Sequence, residues 1–180
     1  MARILLAAGA SVALYKACDL ASNLTQAGHK VRAVLTSRAA KLVSPQLFEA
    51  VTGEPAYTDE FGDARRSAMD HIELARWGEM LVVAPASADL VARLALGVAD
   101  DLVTTTALAL PAGVPRLLCP AMNPDMLAAP PVRRNLEQLQ GDGWSVLAPE
   151  SGHVACGDEG QGRLPDPARI ADWVAKGLRR

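Results

Sequence analysis

The 180 residues are half hydrophobic, enough for one substantial core, and the formal net charge of −2 gives no general electrostatic drive toward nucleic acid or an anionic membrane. Three cysteines, Cys18, Cys119 and Cys156, are odd in number and form no CxxC pair, which argues against a disulfide framework or a thiolate metal cage and fits a reducing cytoplasm. The opening MARILLAAGA runs into Lys16 and Asp19 too soon for a signal peptide or a membrane span, so a single-domain cytoplasmic protein without a membrane segment is expected.

RILLAAG, residues 3–9, is an unbroken apolar run closed by glycine and predicts a parallel strand covered on both faces by helices. Ala17, Leu20, Ala21 and Leu24 then recur at helical spacing between Val12 and Ala27, and Gly28 marks the stop. KVRAVLT (30–36) predicts a second strand. SRAAKLVSPQLFEAVTG (37–53) predicts two short helices, parted before Pro45 because the residue preceding a proline avoids helical angles. Residues 54–70 are polar and aperiodic and predict a long connection. EMLVVAPA (79–86) is the next strand, SADLVARLALG (87–97) a helix capped by Ser87 and stopped by Gly97, and DLVTTTALAL (101–110) a further helix. PRLLCPA (115–121) is a strand, PPVRRNLEQLQGDG (130–143) a helix and turn, and WSVLAP (144–149) a strand. DPARIADWVAKGL (166–178) closes the chain as a helix, with Asp166 as N-cap and Pro167 at the first helical position. Strand and helix alternate throughout, which predicts an α/β fold with a doubly wound parallel sheet and right-handed crossovers.

Ligands of such a sheet bind beyond the carboxyl ends of its strands, near a topological switch point. That narrows attention to GASVALYK (9–16), TSRAA (36–40), PASADL (85–90) and PAMNPDM (120–126). The first two have the small residues and serine of a phosphate-handling turn, or equally of an ordinary helix start capped by Ser11 or Ser37. GASV is no dinucleotide fingerprint and no acidic residue ends the second strand, so a mononucleotide phosphate is favoured over NAD. His71, beside the aperiodic stretch, is either a base or a merely hydrogen-bonded imidazole, and His29 and His153 lie at no metal-ligand spacing from it. No metal site is expected. Cys119 and Cys18 read as core. Cys156 sits in SGHVACGDEGQGRLPDP, a glycine-rich, charged segment expected to be an exposed, mobile flap in which a thiol is available for chemistry.

GASVALYK, HIELARW, APASADLVARLALGVADDL, PAMNPDM and ACGDEGQGRLPDP, in this order, resemble the flavin-dependent cysteine decarboxylases, and most closely the phosphopantothenoylcysteine decarboxylases of coenzyme A synthesis. The combination of PAMNxxM with the late ACGDxGxGR is the specific part, and the likeness covers nearly the whole chain. It implies a flavodoxin-like, Rossmann-like domain over residues 1–180 and bound FMN. It further implies homotrimers, sometimes assembled into homododecamers, with flavin and substrate near subunit contacts. By position it assigns FMN binding to Ser11, Val12, Ala13, Ser37, Ala86, Ser87, Ala88, Asp89 and Ala121. His71 falls on the family's base and Asn123 on the asparagine that meets the substrate carboxylate. Met126 falls on the second signature methionine, Cys156 on the flap cysteine that donates a proton, and His153, Val154 and Ala155 lie over substrate. The implied chemistry is decarboxylation of 4′-phosphopantothenoylcysteine to 4′-phosphopantetheine, through oxidation of the thiol to a thioaldehyde, loss of CO2 and re-reduction. Two other readings carry the same fold: a peptidyl-cysteine decarboxylase of the lantibiotic kind, and a non-catalytic FMN-binding regulatory subunit. Ala10 stands where many relatives have glycine. The synthetase fused to the typical bacterial relative is either a separate polypeptide, and then a partner, or lies beyond this sequence.

Overall fold

The computed structural model describes residues 1–61, 65–153 and 157–178. Six parallel strands form one sheet: β1 (Arg3–Ala8), β2 (Lys30–Leu35), β3 (Ala56–Tyr57), β4 (Met80–Ala86), β5 (Arg116–Pro120) and β6 (Ser145–Val146). Their spatial order is β3-β2-β1-β4-β5-β6, the dinucleotide-fold order; without the two-residue edge strand β3 the other five follow the flavodoxin order. The doubly wound sheet expected from the alternation is therefore present, and its switch point falls between β1 and β4.

Each central strand serves two cores because successive side chains point to opposite faces. Ile4, Leu6 and Ala8 of β1 join one buried cluster while Leu5 and Ala7 join the other. On the first face α1 (Tyr15–Gln26) packs against α2 (Pro45–Thr52) and α8 (Pro167–Gly177). On the second, α3 (Asp70–Trp77) packs on α5 (Leu102–Ala109), and α4 (Ala88–Leu96) on α5 and α7 (Pro130–Gly141). In β4 the alternation changes step: Met80, Val82 and Ala84 face the α1 side, yet Ala86 faces the α4 side. The register against β5 shifts between Val83 and Ala86, and that irregularity turns the strand end.

The chain's punctuation matches its local chemistry. Ser87 caps α4, accepting from Leu90 N, and Gly97 ends it with φ +68°. Ser44 caps α2 with Pro45 at its first position, and Gly53 closes it at φ +67°. The helix expected from Val12 onward begins as a 3-10 turn, Val12–Leu14, before α1. Residues 54–70 are not wholly irregular, since β3 pairs Ala56 and Tyr57 with Ala33 and Val34, and α3 starts at Asp70. A two-residue strand has no period to detect, which is why the pattern misses it. Only Ser145 and Val146 of the WSVLAP segment pair with β5.

The segment expected as an open flap is, in its described part, an antiparallel hairpin of β7 (Glu150–His153) and β8 (Glu159–Arg163). Its glycines explain its position. A Cβ on Gly162 would lie 2.1 Å from Met122 O, and one on Gly160 would lie 2.9 Å from Pro124 Cγ, so β8 rests directly on the strap that follows β5. Among the described residues no helix is long and apolar enough to cross a membrane, and no group of three or more His, Cys, Asp or Glu side chains is placed to hold a metal ion.

Candidate active site

Three strand ends are stitched together at the switch point. Gly9 N–H donates to Pro85 O at 2.9 Å, Ala121 N–H to Ala86 O at 3.0 Å, and Met122 N–H to Gly162 O at 3.0 Å. Ser11 Oγ accepts from Ala13 N–H and donates to Ala121 O at 3.4 Å. The segments after β1, β4 and β5 and the end of β8 thus form one rim. The approach is close at Gly9, where a Cβ would press on Leu90 Cδ2 at 3.0 Å, Pro85 O at 3.2 Å and Ser87 Oγ at 3.3 Å.

Inside the rim is a cavity of about 600 Å³, within the range of small-molecule sites. It is lined by Ser11, Val12, Ala13, Ser87, Ala88, Ala121, Asn123, Met126 and His153, nine of the residues expected at the site from sequence. Ala10, Tyr15, Lys16, Met122, Gly162, Arg163 and Leu164 also line it and had no role assigned. The glycines of GQGR carried a signal for the last group: two glycines two residues apart on a strand share one face, the pattern of a strand pressed against another backbone.

The carboxamide of Asn123 is more heavily engaged than a substrate-facing amide alone would be. Its Oδ1 caps α6 (Pro124–Ala128), accepting from Asp125 N–H at 2.8 Å and Met126 N–H at 3.4 Å. Its Nδ2 donates to Asp158 Oδ2 at 2.7 Å, tying the strap to the hairpin. The residue is at once a helix cap, a tether and part of the cavity wall.

Other expected residues lie outside the wall. Ser37 is exposed, and the cap on the turn after β2 comes from buried Thr36, whose Oγ1 accepts from Ala39 N–H at 3.1 Å. Ala86 is fully buried in β4. Asp89 pairs with Arg93 at 2.9 Å, and the same guanidinium reaches Asp100 at 2.8 Å and Asp101 at 2.5 Å. Burial opposes the Arg93 charge, but the hydrogen bonds to Asp101 and Asp100 prevail and raise its pKa. Val154, Ala155 and Cys156 fall outside the described residues.

His71 lies in the first turn of α3, whose far end abuts the start of β1 through Glu79 N–H on Arg3 O. The helix therefore runs back along the sheet and brings His71 to the carboxyl end, away from the cavity wall of the same chain. Its Nδ1 is 2.8 Å from Glu60 Oε2, an ion-pair distance whose direction falls outside hydrogen-bond geometry. The next residue back, Asp70, is buried and accepts from Arg66 N–H at 2.8 Å, which pins the approach to α3. Cys119 is fully buried in β5, and burial pushes its thiol pKa far up, so it is core as expected.

The wall suits a flavin mononucleotide. The Ser11–Ala13 turn and the start of α4 at Ser87 and Ala88 line the cavity with short side chains at Ser11, Ala13, Ser87 and Ala88, past which a phosphate could reach backbone N–H groups. Ala121, Met122 and Met126 give an apolar side for a flat ring.

Residues 1–179 match the family described as Flavoprotein. The coenzyme A biosynthesis bifunctional protein CoaBC of Bacillus subtilis is 42% identical over 173 residues, covering 96% of this chain and 42% of that protein. The chain thus spans about two fifths of the length of that bifunctional relative. A Streptococcus mutans protein named "Probable phosphopantothenoylcysteine decarboxylase" is 38% identical, with 98% of each chain covered. Among solved structures, a cysteine-to-serine mutant of PPC decarboxylase complexed with pantothenoylaminoethenethiol matches at TM-score 0.88 and 31% identity over 99% of each chain. The FMN binding protein AtHal3 matches at TM-score 0.84 and 32% identity, over 99% of this chain and 97% of that one.

Proposed function

The chain belongs to the Flavoprotein family, and from that premise we propose that it is an FMN-dependent carboxy-lyase that converts 4′-phosphopantothenoylcysteine to 4′-phosphopantetheine in coenzyme A biosynthesis. The observation that carries the reading is the cavity at the β1–β4 switch point, where the Ser11–Ala13 turn, Ser87, Ala121, Asn123, Met126 and His153 share one wall. FMN is the cofactor. When bound it supplies the electron sink that a cysteinyl carboxylate lacks.

The chain's own residues supply binding and proton handling. Ser11, Val12, Ala13, Ser87 and Ala88 hold the cofactor phosphate, with Ser37 and Asp89 placed further out. Asn123 orients the substrate carboxylate from the strap that its own amide ties to Asp158. His71 is the base for the substrate thiol, with Glu60 beside Nδ1 leaving Nε2 for proton transfer. Cys156 is the proton donor in the closing reduction, and Val154 and Ala155 cover substrate with His153.

We assign the working form to a homotrimer or a dodecamer built from it. Val12, Tyr15, Leu96 and Leu108 are 71%, 61%, 73% and 64% exposed, apolar side chains that a neighbouring copy could cover, and Val12 and Tyr15 line the cavity. In such an assembly a neighbouring copy brings His71 to the cavity. We further assign the protein to the cytoplasm, as one domain working with a phosphopantothenate–cysteine ligase of the kind fused in the bifunctional relatives.

The test is anaerobic CO2 release from 4′-phosphopantothenoylcysteine and from a peptide with a C-terminal cysteine. Release from the first only is expected; release from the peptide only transfers the protein to the peptidyl branch. His71→Asn is expected to stay yellow with bound FMN and lose turnover, and unchanged turnover would remove His71 from the reaction.

A further inference from the structure

We propose that Lys16 and Arg163 form a phosphomonoester subsite that receives the terminal phosphate of the substrate and makes the enzyme prefer a phosphorylated cysteine conjugate over its unphosphorylated counterpart. The proposal rests on the decarboxylase reading and adds to it the side chains that recognise the far end of the substrate.

Three observations converge on this pair. Lys16 and Arg163 are the only Lys, Arg, Asp or Glu among the described residues that line the 600 Å³ cavity; the rest of its wall is apolar, hydroxyl, amide or imidazole. Neither cation is neutralised by a described residue. Lys16 Nζ donates to a neutral carbonyl, Leu164 O, at 3.5 Å, leaving further N–H donors for a ligand. Glu150, which faces Arg163 across the hairpin, directs Oε1 to Asp166 N–H at 3.2 Å and to Arg169 at 3.4 Å. Finally, the Arg163 side chain is seated. Although exposed, it lies across Gly152, where a built Cβ would come within 2.7 Å of its Nη1 and 3.3 Å of its Cδ.

A cavity carrying two unneutralised cations and no described anion is matched by a ligand group of opposite charge. A phosphate monoester carries about −1.5 to −2 at neutral pH. The guanidinium fork suits two phosphate oxygens and the ammonium adds a point charge. The Lys16 bond to Leu164 O brings both cations to the same wall, that of β8, whereas the Ser11–Ala13 turn and the start of α4 lie across the rim and suit the cofactor phosphate. Two phosphate-bearing ligands thus meet two different anion sites.

The test uses FMN-loaded enzyme and its Lys16→Met, Arg163→Met and Arg163→Lys variants. Steady-state CO2 release is measured with 4′-phosphopantothenoylcysteine and with pantothenoylcysteine, and FMN and riboflavin binding by flavin fluorescence. Each Met variant is expected to raise KM for the phosphorylated substrate about tenfold, the scale of one charge-assisted contact. KM for the unphosphorylated substrate and the FMN content should hold steady, and Arg163→Lys should restore part of the loss. An equal rise for both substrates, or a wild-type enzyme indifferent to the phosphate, overturns the proposal. So does weakened FMN binding with riboflavin binding intact, which would give the pair to the cofactor. If the wild-type protein releases no CO2 from either substrate, the decarboxylase reading fails by itself. The subsite is then judged by equilibrium binding of 4′-phosphopantetheine and pantetheine: a phosphate-dependent affinity lost in the Met variants upholds it, and equal affinities sink it.

Discussion

Gly162→Ala is the sharpest probe of how the hairpin is held. The added Cβ would stand 2.1 Å from Met122 O, more than about 1 Å inside the ~3.5 Å at which non-bonded atoms are comfortable. The obstacle is a backbone carbonyl, which cannot rotate aside as a flexible side chain could. Relief requires β8 to lift from the strap, and that breaks the 3.0 Å bond from Met122 N–H to Gly162 O. One lost hydrogen bond costs about 1 kcal/mol and overpacking about 1–3 kcal/mol, so ~2–4 kcal/mol is expected in all. For a chain of 180 residues this lowers Tm by roughly 10 °C, at about 2–4 °C per kcal/mol. Gly141→Ala is the control, since a Cβ there meets nothing within 4 Å and the position ends a helix. Thermal melts followed by circular dichroism, with limited proteolysis of the hairpin, read both variants. A Gly162→Ala protein that melts within about 1 °C of wild type and resists the protease equally would refute the reasoning.

Four further outcomes follow from individual contacts. Arg93→Met removes the one cation shared by Asp89, Asp100 and Asp101 and should destabilise by about 1–3 kcal/mol, less than a fully buried network because two of the three carboxylates are more than half exposed; an unchanged denaturant midpoint would dismiss the clamp. Asn123→Asp keeps the cap oxygen but sets a carboxylate against Asp158, so turnover should fall while the Tm deficit shrinks as pH is lowered toward ~4; a deficit independent of pH would show that repulsion is not its cause. Iodoacetamide should spare Cys119 in the folded protein, because full burial raises its thiol pKa and blocks access, and mass spectrometry of the native digest reads this directly. His29 has its pKa lowered, first by burial and then by the N-terminal ammonium, and its Nδ1 accepts from Ala2 N–H. The folded chain therefore prefers the neutral ring, and stability is full above the unfolded value of ~6.5 and falls as pH drops below it. His29→Gln should flatten that fall, and identical pH–stability curves would remove His29 from the account.

Fold class was legible from the chain because parallel strands buried on both faces leave long apolar runs, and their caps are written locally. Ser87 with Gly97, Ser44–Pro45 with Gly53, and Asp166 with Pro167 all sit where the pattern puts them. Much of the cavity wall was legible too, since ligands gather at strand ends and motif order points to Ser11, Ser87, Asn123 and Met126, which line it. Less legible was whatever depends on partners distant in sequence. Nothing near Asn123 in the chain says that its Nδ2 meets Asp158, 35 positions on, and nothing near Ser11 says that its hydroxyl reaches Ala121 O.

By itself, then, the sequence determined the alternation of elements, their stops, and the short segments able to bear chemistry, because these depend on neighbours within a few residues. Only the tertiary structure decided the strand order that opens the switch point between β1 and β4, and the register shift that turns Ala86 toward the α4 side. It alone joined the hairpin to the strap through Gly160, Gly162 and the bond from Asn123 to Asp158. These contacts join residues 35 or more positions apart, and local propensity carries no information about a meeting that only packing brings about.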